Sequence, residues 1–99
     1  MGKDPQIVKG YIEEWLERTN QTRQTDLECD EPYPYEEVFG GYKYIIFFAH
    51  ENEANPVATV YYDAQRNKIK VNPEINGFLT FTDETRNQLR SALVKRISE

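Results

Sequence analysis

Near the middle of the chain, the run Tyr44-Ile45-Ile46-Phe47-Phe48 is apolar at every position. Aromatic and β-branched residues favour strands, and a strand that is apolar on both faces belongs in the interior of a sheet. The run is far too short to cross a membrane. It therefore predicts a central strand over about 42–50, around which the rest of the chain has to build a sheet.

Amphipathic helices are predicted at both ends of the chain. Asp4-Pro5 has the residue types of an N-cap and a first helical position, and apolar residues recur at helical spacing over 7–16. This pattern predicts a helix over about 4–19. Thr82 is the predicted N-cap of a second helix, with acidic residues in its first turn and basic residues in its last.

Two further strands are predicted after the central one, over 57–62 and 68–71, because turn-forming residues separate these β-branched and aromatic segments. Residues 78–81 are expected to form a short extended piece. The element order is therefore α-β-β-β-α. We expect one α+β domain over 1–99, with a three-to-four-stranded antiparallel sheet and both terminal helices packed on one face.

Residues 20–37 are predicted to form a long acidic loop, because Pro32 and Pro34 cannot continue a helix. Long loops are often functional. It is left open whether part of this loop pairs with the sheet as an edge strand.

The net charge of −5 comes from one segment, since residues 24–42 hold six acidic residues and no basic residue. Such a segment repels phosphate groups, so we expect neither nucleic acid nor a membrane as the main partner. A protein partner with a basic surface would be attracted. The alternative is that the acidic residues only keep the protein soluble. Without a recognisable signal peptide, we expect a cytoplasmic protein.

The element order is similar to that of the double-stranded-RNA-binding domain. That module aims cationic groups at phosphates from the start of its last helix, whereas the last helix here opens with Thr82-Asp83-Glu84. A nucleic-acid-binding module is therefore kept as the alternative function. Its local basic patch would consist of Arg66, Lys68, Lys70, Arg86 and Arg90.

No catalytic residue, cofactor or metal site is predicted. Cys29 and His50 are the only thiol and the only imidazole of the chain, and nothing in the sequence brings them together. Nearby carboxylates are expected to raise the pKa of the cysteine. Four carboxylates, those of Asp26, Glu28, Asp30 and Glu37, match positions of a calcium-binding loop. The position that requires glycine is Glu31.

Tyrosine is unusually frequent, with seven residues in the chain. Two helices can cover only one face of a small sheet, so the second face is expected to be partly aromatic and exposed unless the loop over 20–37 covers it. Exposed aromatic patches commonly mark protein interfaces. The sequence therefore predicts a non-enzymatic protein-interaction domain. Whether it is an inhibitor, an immunity or antitoxin protein, a chaperone-like binder or an accessory subunit is left open, as is its oligomeric state.

The predicted partner-binding surface combines the acidic segment with neighbouring aromatic residues. Its members are Asp30, Glu31, Tyr33, Tyr35, Glu36, Glu37, Tyr42 and Tyr44.

Overall fold

The computed structural model describes residues 2–35, 37, 40–51, 54–74 and 81–99. In them the chain forms two helices and five strands, which confirms the α+β class. In chain order these are α1 (Pro5–Arg23), β1 (Leu27–Cys29), β2 (Tyr33–Tyr35), β3 (Gly41–Phe48), β4 (Ala58–Asp63), β5 (Lys68–Pro73) and α2 (Asp83–Ile97).

The five strands form one antiparallel sheet in which β3 is central, as its apolar run predicts. The order across the sheet is β1-β3-β4-β5, and β2 pairs with β3 farther along the edge that β1 also occupies. The three strands expected from the sequence correspond to β3, β4 and β5, which follow one another as a meander.

The segment predicted to be one long loop is largely structured, so that prediction is wrong for most of 20–37. The first helix continues to Arg23. Of the polar residues expected to end it, Gln21 and Thr22 are exposed, and the Asn20 side chain is bonded to the backbone of β1. It ends where Gln24 takes a left-handed conformation and its N–H donates to Asn20 O. Proline is compatible with an edge strand, where a missing N–H need not break a ladder, so Pro34 fits β2.

A β-bulge separates β1 from β2. Asp30 N donates to Ile45 O at 2.9 Å, and the next paired residues are Tyr33 and Lys43. Glu31 and Pro32 therefore stand opposite Tyr44 alone, one residue more than a regular ladder has. Because side chains alternate between the two faces of a strand, this extra residue reverses which face the following side chains occupy.

Both helices pack on the same face of the sheet, as predicted. They supply apolar side chains at helical spacing, and the strands supply alternate residues such as Tyr44, Ile46, Val60 and Val71 to the same buried cluster. Trp15 of α1 is almost buried, and its ring meets the edge of the Phe81 ring at a centroid distance of 6.2 Å. We refer to this side of the sheet as the covered face.

The extended piece predicted over 78–81 lies outside the described residues except for Phe81, which is buried. None of the described helices is long and apolar enough to span a membrane.

Candidate functional site

The sheet face opposite the helices is called the open face here, since no described helix or strand packs on it. Residues paired across an antiparallel sheet point to the same side, so the strand registers identify its members. They are Glu28, Asp30, Tyr33, Tyr35, Lys43, Ile45, Phe47, Thr59, Tyr61, Asp63, Lys68, Lys70 and Asn72. Thr59 is the buried member of this set, and its hydroxyl donates to Glu74 Oε1 at 3.0 Å.

Aromatic and apolar side chains occupy the centre of the open face. The rings of Tyr35 and Tyr61 lie 5.0 Å apart between centroids, tilted by 59°. Ile45 and Phe47 continue this surface along β3, and both are partly exposed. A depression of about 410 Å³ lies beside the tyrosine pair. Its lining includes Tyr35, Gly41, Tyr61, Lys68, Lys70 and Asn72.

Carboxylates line the β1–β2 side of the open face. The hydroxyl of Tyr33 donates to Asp30 Oδ2 at 2.7 Å, and the hydroxyl of Tyr35 donates to Glu37 Oε2 at 2.8 Å. Each of these hydrogen bonds raises the pKa of its tyrosine, because the bonded carboxylate disfavours loss of the phenolic proton. The two rings therefore keep their hydroxyl protons and stay tied to the acidic edge.

Lysines occupy the centre and the opposite side. Lys68 and Lys70 on β5 are exposed, and Lys43 on β3 is partly exposed. Within the described ranges, none of the three forms an ion pair. Asp63 is on the same face, but Arg66 Nη1 lies 2.9 Å from its carboxylate, and this contact lowers the pKa of Asp63. The β5 side of the open face thus carries unneutralised positive charge near the β4–β5 turn.

Three predicted partner-binding residues lie off the open face. Tyr44 is fully buried on the covered face, its hydroxyl donates to Pro5 O at 2.8 Å, and burial raises its pKa. Tyr42 is on the same covered face and packs partly buried against the core. Both follow from the alternation of β3, in which even-numbered residues face the helices.

Glu31 is turned towards α1 at the bulge. Lys9 Nζ lies 3.2 Å from its carboxylate, and Gln6 Nε2 donates to it at 2.9 Å. These contacts, led by the hydrogen bond from Gln6, lower the pKa of Glu31. Of the remaining predicted residues, Glu36 lies outside the described residues. The structure brings the other four together on the open face: Asp30, Tyr33, Tyr35 and Glu37.

The predicted surface omitted several open-face residues, of which Tyr61 and the lysines Lys43, Lys68 and Lys70 matter most. A signal for Lys68 and Lys70 is present in the sequence. The four-residue turn over 64–67 places Asp63 opposite Lys68, and counting back along both strands places Tyr61 opposite Lys70. β2 and β3 are also consecutive strands that pair as a hairpin, with Tyr35 opposite Gly41, but Tyr35 falls in the segment predicted to be a loop.

Cys29 and His50 have separate environments. Cys29 is on the covered face, and burial together with the carboxylate of Glu13 raises the pKa of its thiol to about 12. His50 is exposed, its Nδ1 lies 3.1 Å from Asp26 Oδ2, and its ring stacks on Phe48. Among the described contacts, the Cys29 thiol and the His50 ring do not meet, so the two residues do not form a nucleophile–base pair.

The carboxylates that match a calcium-loop spacing are also dispersed. Asp26 contacts His50, Glu28 lies on β1, and Asp30 and Glu37 accept tyrosine hydroxyls. In the part of the chain that the structure describes, no three His, Cys, Asp or Glu side chains group as metal ligands would.

The five residues of the alternative basic patch do not share one surface. Lys68 and Lys70 point to the open face, while Arg86 and Arg90 belong to α2, which packs on the covered face. Arg66 is paired with Asp63.

Comparisons of the chain with protein-family models, with curated proteins and with solved structures gave no match. Function is therefore inferred from the geometry of the open face.

Proposed function

We propose that this chain is a non-enzymatic protein-interaction domain that binds a protein partner through the open face of its sheet. The observation that supports this most directly is the Tyr35–Tyr61 pair, which lies beside partly exposed Ile45 and Phe47 on a face that no described helix or strand covers. Tyrosine is enriched in protein interfaces, because its ring buries a large apolar area while its hydroxyl still makes a hydrogen bond.

The two kinds of residue on the open face have different roles in this proposal. The aromatic centre supplies the buried contact area and controls how slowly a complex dissociates. The charges around it attract a complementary partner and orient it, so they act mainly on the association rate. Asp30 and Glu37 would face basic groups of the partner, as the acidic segment already suggests.

The charge pattern favours a protein over a nucleic acid as the partner. A strand of nucleic acid that stacked on Tyr33 or Tyr35 would bring its phosphates towards Asp30 and Glu37, which are bonded to the hydroxyl ends of those rings. Single-stranded nucleic acids bind in grooves that are basic along their length. The open face is basic in its centre and on its β5 side, and acidic on its β1–β2 side.

Site-specific photo-crosslinking in the source cells tests the proposal. A photoreactive phenylalanine derivative replaces Phe47 on the open face, and in a matched control it replaces Gln88, an exposed residue of α2. We expect protein adducts from position 47 and few from position 88, identified by mass spectrometry. Nucleic-acid adducts from position 47, or equal protein adducts from both positions, would contradict the proposal.

A further inference from the structure

The open face carries opposite charges on its two sides. On the β2 side, Asp30 and Glu37 flank the tyrosines, and on the β5 side Lys68 and Lys70 extend into solvent. Glu37 and the lysines lie towards the same end of the strands, because Tyr35, whose hydroxyl bonds Glu37, pairs with Gly41, Gly41 pairs with Asp63, and Asp63 pairs with Lys68. Asp30 lies farther along the face, beside Ile45. The aromatic centre lies between the two sets.

A face with this pattern is complementary to itself under one particular rotation. A second copy can be turned by 180° about an axis that lies in the plane of the open face and runs parallel to the strands. The β2 and β5 sides of that copy then exchange places, while each strand end stays at the same level along the axis. The β2 side of each copy then lies over the β5 side of the other. Acidic groups meet lysines twice, which is the reciprocal contact of a two-fold symmetric dimer.

The perpendicular rotation axis is less complementary, although it would bring Lys68 of each copy towards Glu74, which lies just beyond β5 and accepts from the Thr59 hydroxyl. It would place β2 of one copy over β1 of the other, so that Asp30 and Glu37 would approach Glu28, another carboxylate of the open face. Like charges that face each other across an interface oppose association. The charge pattern therefore favours the axis that runs along the strands, about which both contacts join opposite charges.

We propose that the partner of the open face is a second copy of this chain, docked sheet to sheet about a two-fold axis parallel to the strands. This inference rests on the proposed function and names the partner of the same site. The aromatic centres of the two copies pack against each other as the inner faces of a β-sandwich do. Lys68 and Lys70 of each copy lie near Glu37 of the other.

The area of the open face limits how tightly two copies can bind. The open face is four strands wide, at about 4.8 Å per strand, and seven residues long, at about 3.3 Å per residue. Its projected area is therefore roughly 400 Å² for each copy. The two copies together would bury roughly 800 Å², below the value of about 1,000 Å² expected of a stable specific interface, so the dimer is expected to be weak and transient. We therefore expect a dimer with a dissociation constant in the micromolar range, populated at about 10–300 μM protein.

Two charge-reversal variants of the full chain, measured by sedimentation equilibrium, test the proposed dimer. Lys70→Glu makes both sides of the face acidic, and Glu37→Lys makes both sides basic. We expect each variant alone to dimerise about tenfold more weakly, because each dimer gains two repulsive contacts. An equimolar mixture of the two variants restores opposite charges at both contacts, so we expect it to form a heterodimer as tight as the original dimer.

The matched control is Lys95→Glu, which makes the same charge change on an exposed position of α2. It should leave dimerisation unchanged, and circular dichroism should show that all variants are folded. A chain that is monomeric up to 300 μM overturns the proposal, as does a dimer that Lys70→Glu and Glu37→Lys do not weaken. Failure of the mixture to restore the heterodimer also overturns it.

The outcome for self-association is separable from the proposed function. A monomeric chain whose position 47 crosslinks to a different protein refutes the second-copy partner and leaves the interaction surface supported. Adducts between two copies from position 47, together with rescue by the mixed variants, support both. Binding of a fluorescent single-stranded oligonucleotide that Lys70→Glu abolishes would assign the lysines to nucleic acid and overturn both.

Discussion

The ring of Tyr35 lies against the ring of Tyr61, although β3 separates the strands that carry them. Gly41 makes this contact possible, because it is the β3 residue paired with Tyr35 and has no side chain to fill the space between the rings. The pair gives the open face a continuous aromatic centre, and Glu37 fixes the hydroxyl end of Tyr35.

Tyr35→Ala and Glu37→Gln should weaken partner binding in different ways. Loss of the ring removes contact area, so Tyr35→Ala should speed dissociation at any salt concentration, by about 1–2 kcal/mol. Loss of the charge should mainly slow association, and the effect should shrink in about 1 M salt. Crosslinking yield from position 47 should therefore fall at both low and high salt for Tyr35→Ala, and mainly at low salt for Glu37→Gln. Variants that leave the yield unchanged would remove β2 from the binding surface.

Trp15→Ala should destabilise the fold by about 3–5 kcal/mol, because a nearly buried indole that packs on Phe81 would leave a cavity. Urea unfolding measures the loss. Ile7→Ala on the same helix is the matched control, since Ile7 is 49% exposed and its removal should change the free energy of unfolding by less than about 0.5 kcal/mol. Equal losses for the two variants would contradict the assignment of Trp15 to the core.

Tyr62→Phe should cost about 1–3 kcal/mol although it removes only one oxygen. The Tyr62 hydroxyl accepts from Lys3 N at 2.6 Å and donates to Asn67 Oδ1 at 2.7 Å, while Asn67 Nδ2 donates to Ile97 O. It thereby links both ends of the chain to the β4–β5 turn.

The neighbouring Tyr61→Phe is a matched control for this loss. Tyr61 points to the open face, and among the described residues its hydroxyl has no hydrogen-bond partner. Chemical denaturation should show little change for Tyr61→Phe. A similar loss for both variants would mean that the hydroxyl of Tyr62 contributes nothing specific.

Asn20→Ala should loosen β1, because the Asn20 side chain is bonded to the backbone of that strand. Leu27 N donates to Asn20 Oδ1 at 2.9 Å, and Asn20 Nδ2 donates to Leu27 O at 3.0 Å. We expect a loss of about 1–3 kcal/mol and faster hydrogen exchange at the Leu27 amide. The adjacent Gln21→Ala, on the exposed side of α1, should change neither quantity. Unaltered exchange at Leu27 in Asn20→Ala would argue against this clamp.

The Cys29 thiol should react slowly. Its pKa is raised to about 12 by burial and by the carboxylate of Glu13, so at a pH of about 9 iodoacetamide should alkylate the folded chain more slowly than the urea-unfolded chain. His50→Ala should not change the rate. A depressed thiol pKa that His50→Ala abolishes would instead indicate a catalytic Cys–His pair.

The same thiol should make stability depend on pH at the alkaline end. In the unfolded chain the pKa of this thiol is about 8.5, which is lower than its pKa in the folded state. The stability that the protonated Cys29 thiol contributes is therefore complete below about pH 8.5 and is lost as the pH rises towards 12. The free energy of unfolding should fall more steeply over this range in the original chain than in Cys29→Ala. Parallel pH profiles would contradict the raised pKa.

Local sequence determined the helix starts and the central strand. Asp4 Oδ1 accepts from Gln6 N at 2.8 Å and Thr82 Oγ1 accepts from Thr85 N at 3.3 Å, so each cap is complete within four residues. β3 is an interior strand, as its run of aromatic and β-branched residues indicates. Such features depend on neighbours along the chain, and the sequence contains those neighbours.

Tertiary structure alone decided which tyrosines face outward. Without the bulge at Glu31 and Pro32, the alternation of the edge strand would point Tyr33 and Tyr35 to the covered face. The bulge depends on pairing with β3 and on the contacts of Glu31 with Lys9 and Gln6 of α1. The α1 partners are more than twenty residues away in the chain, whereas β2 and β3 form a hairpin whose paired residues are only six to ten apart. A one-residue shift in strand register reverses every side chain that follows it, so the bulge and its contacts with α1 decided that Tyr33 and Tyr35 share a face with Asp30.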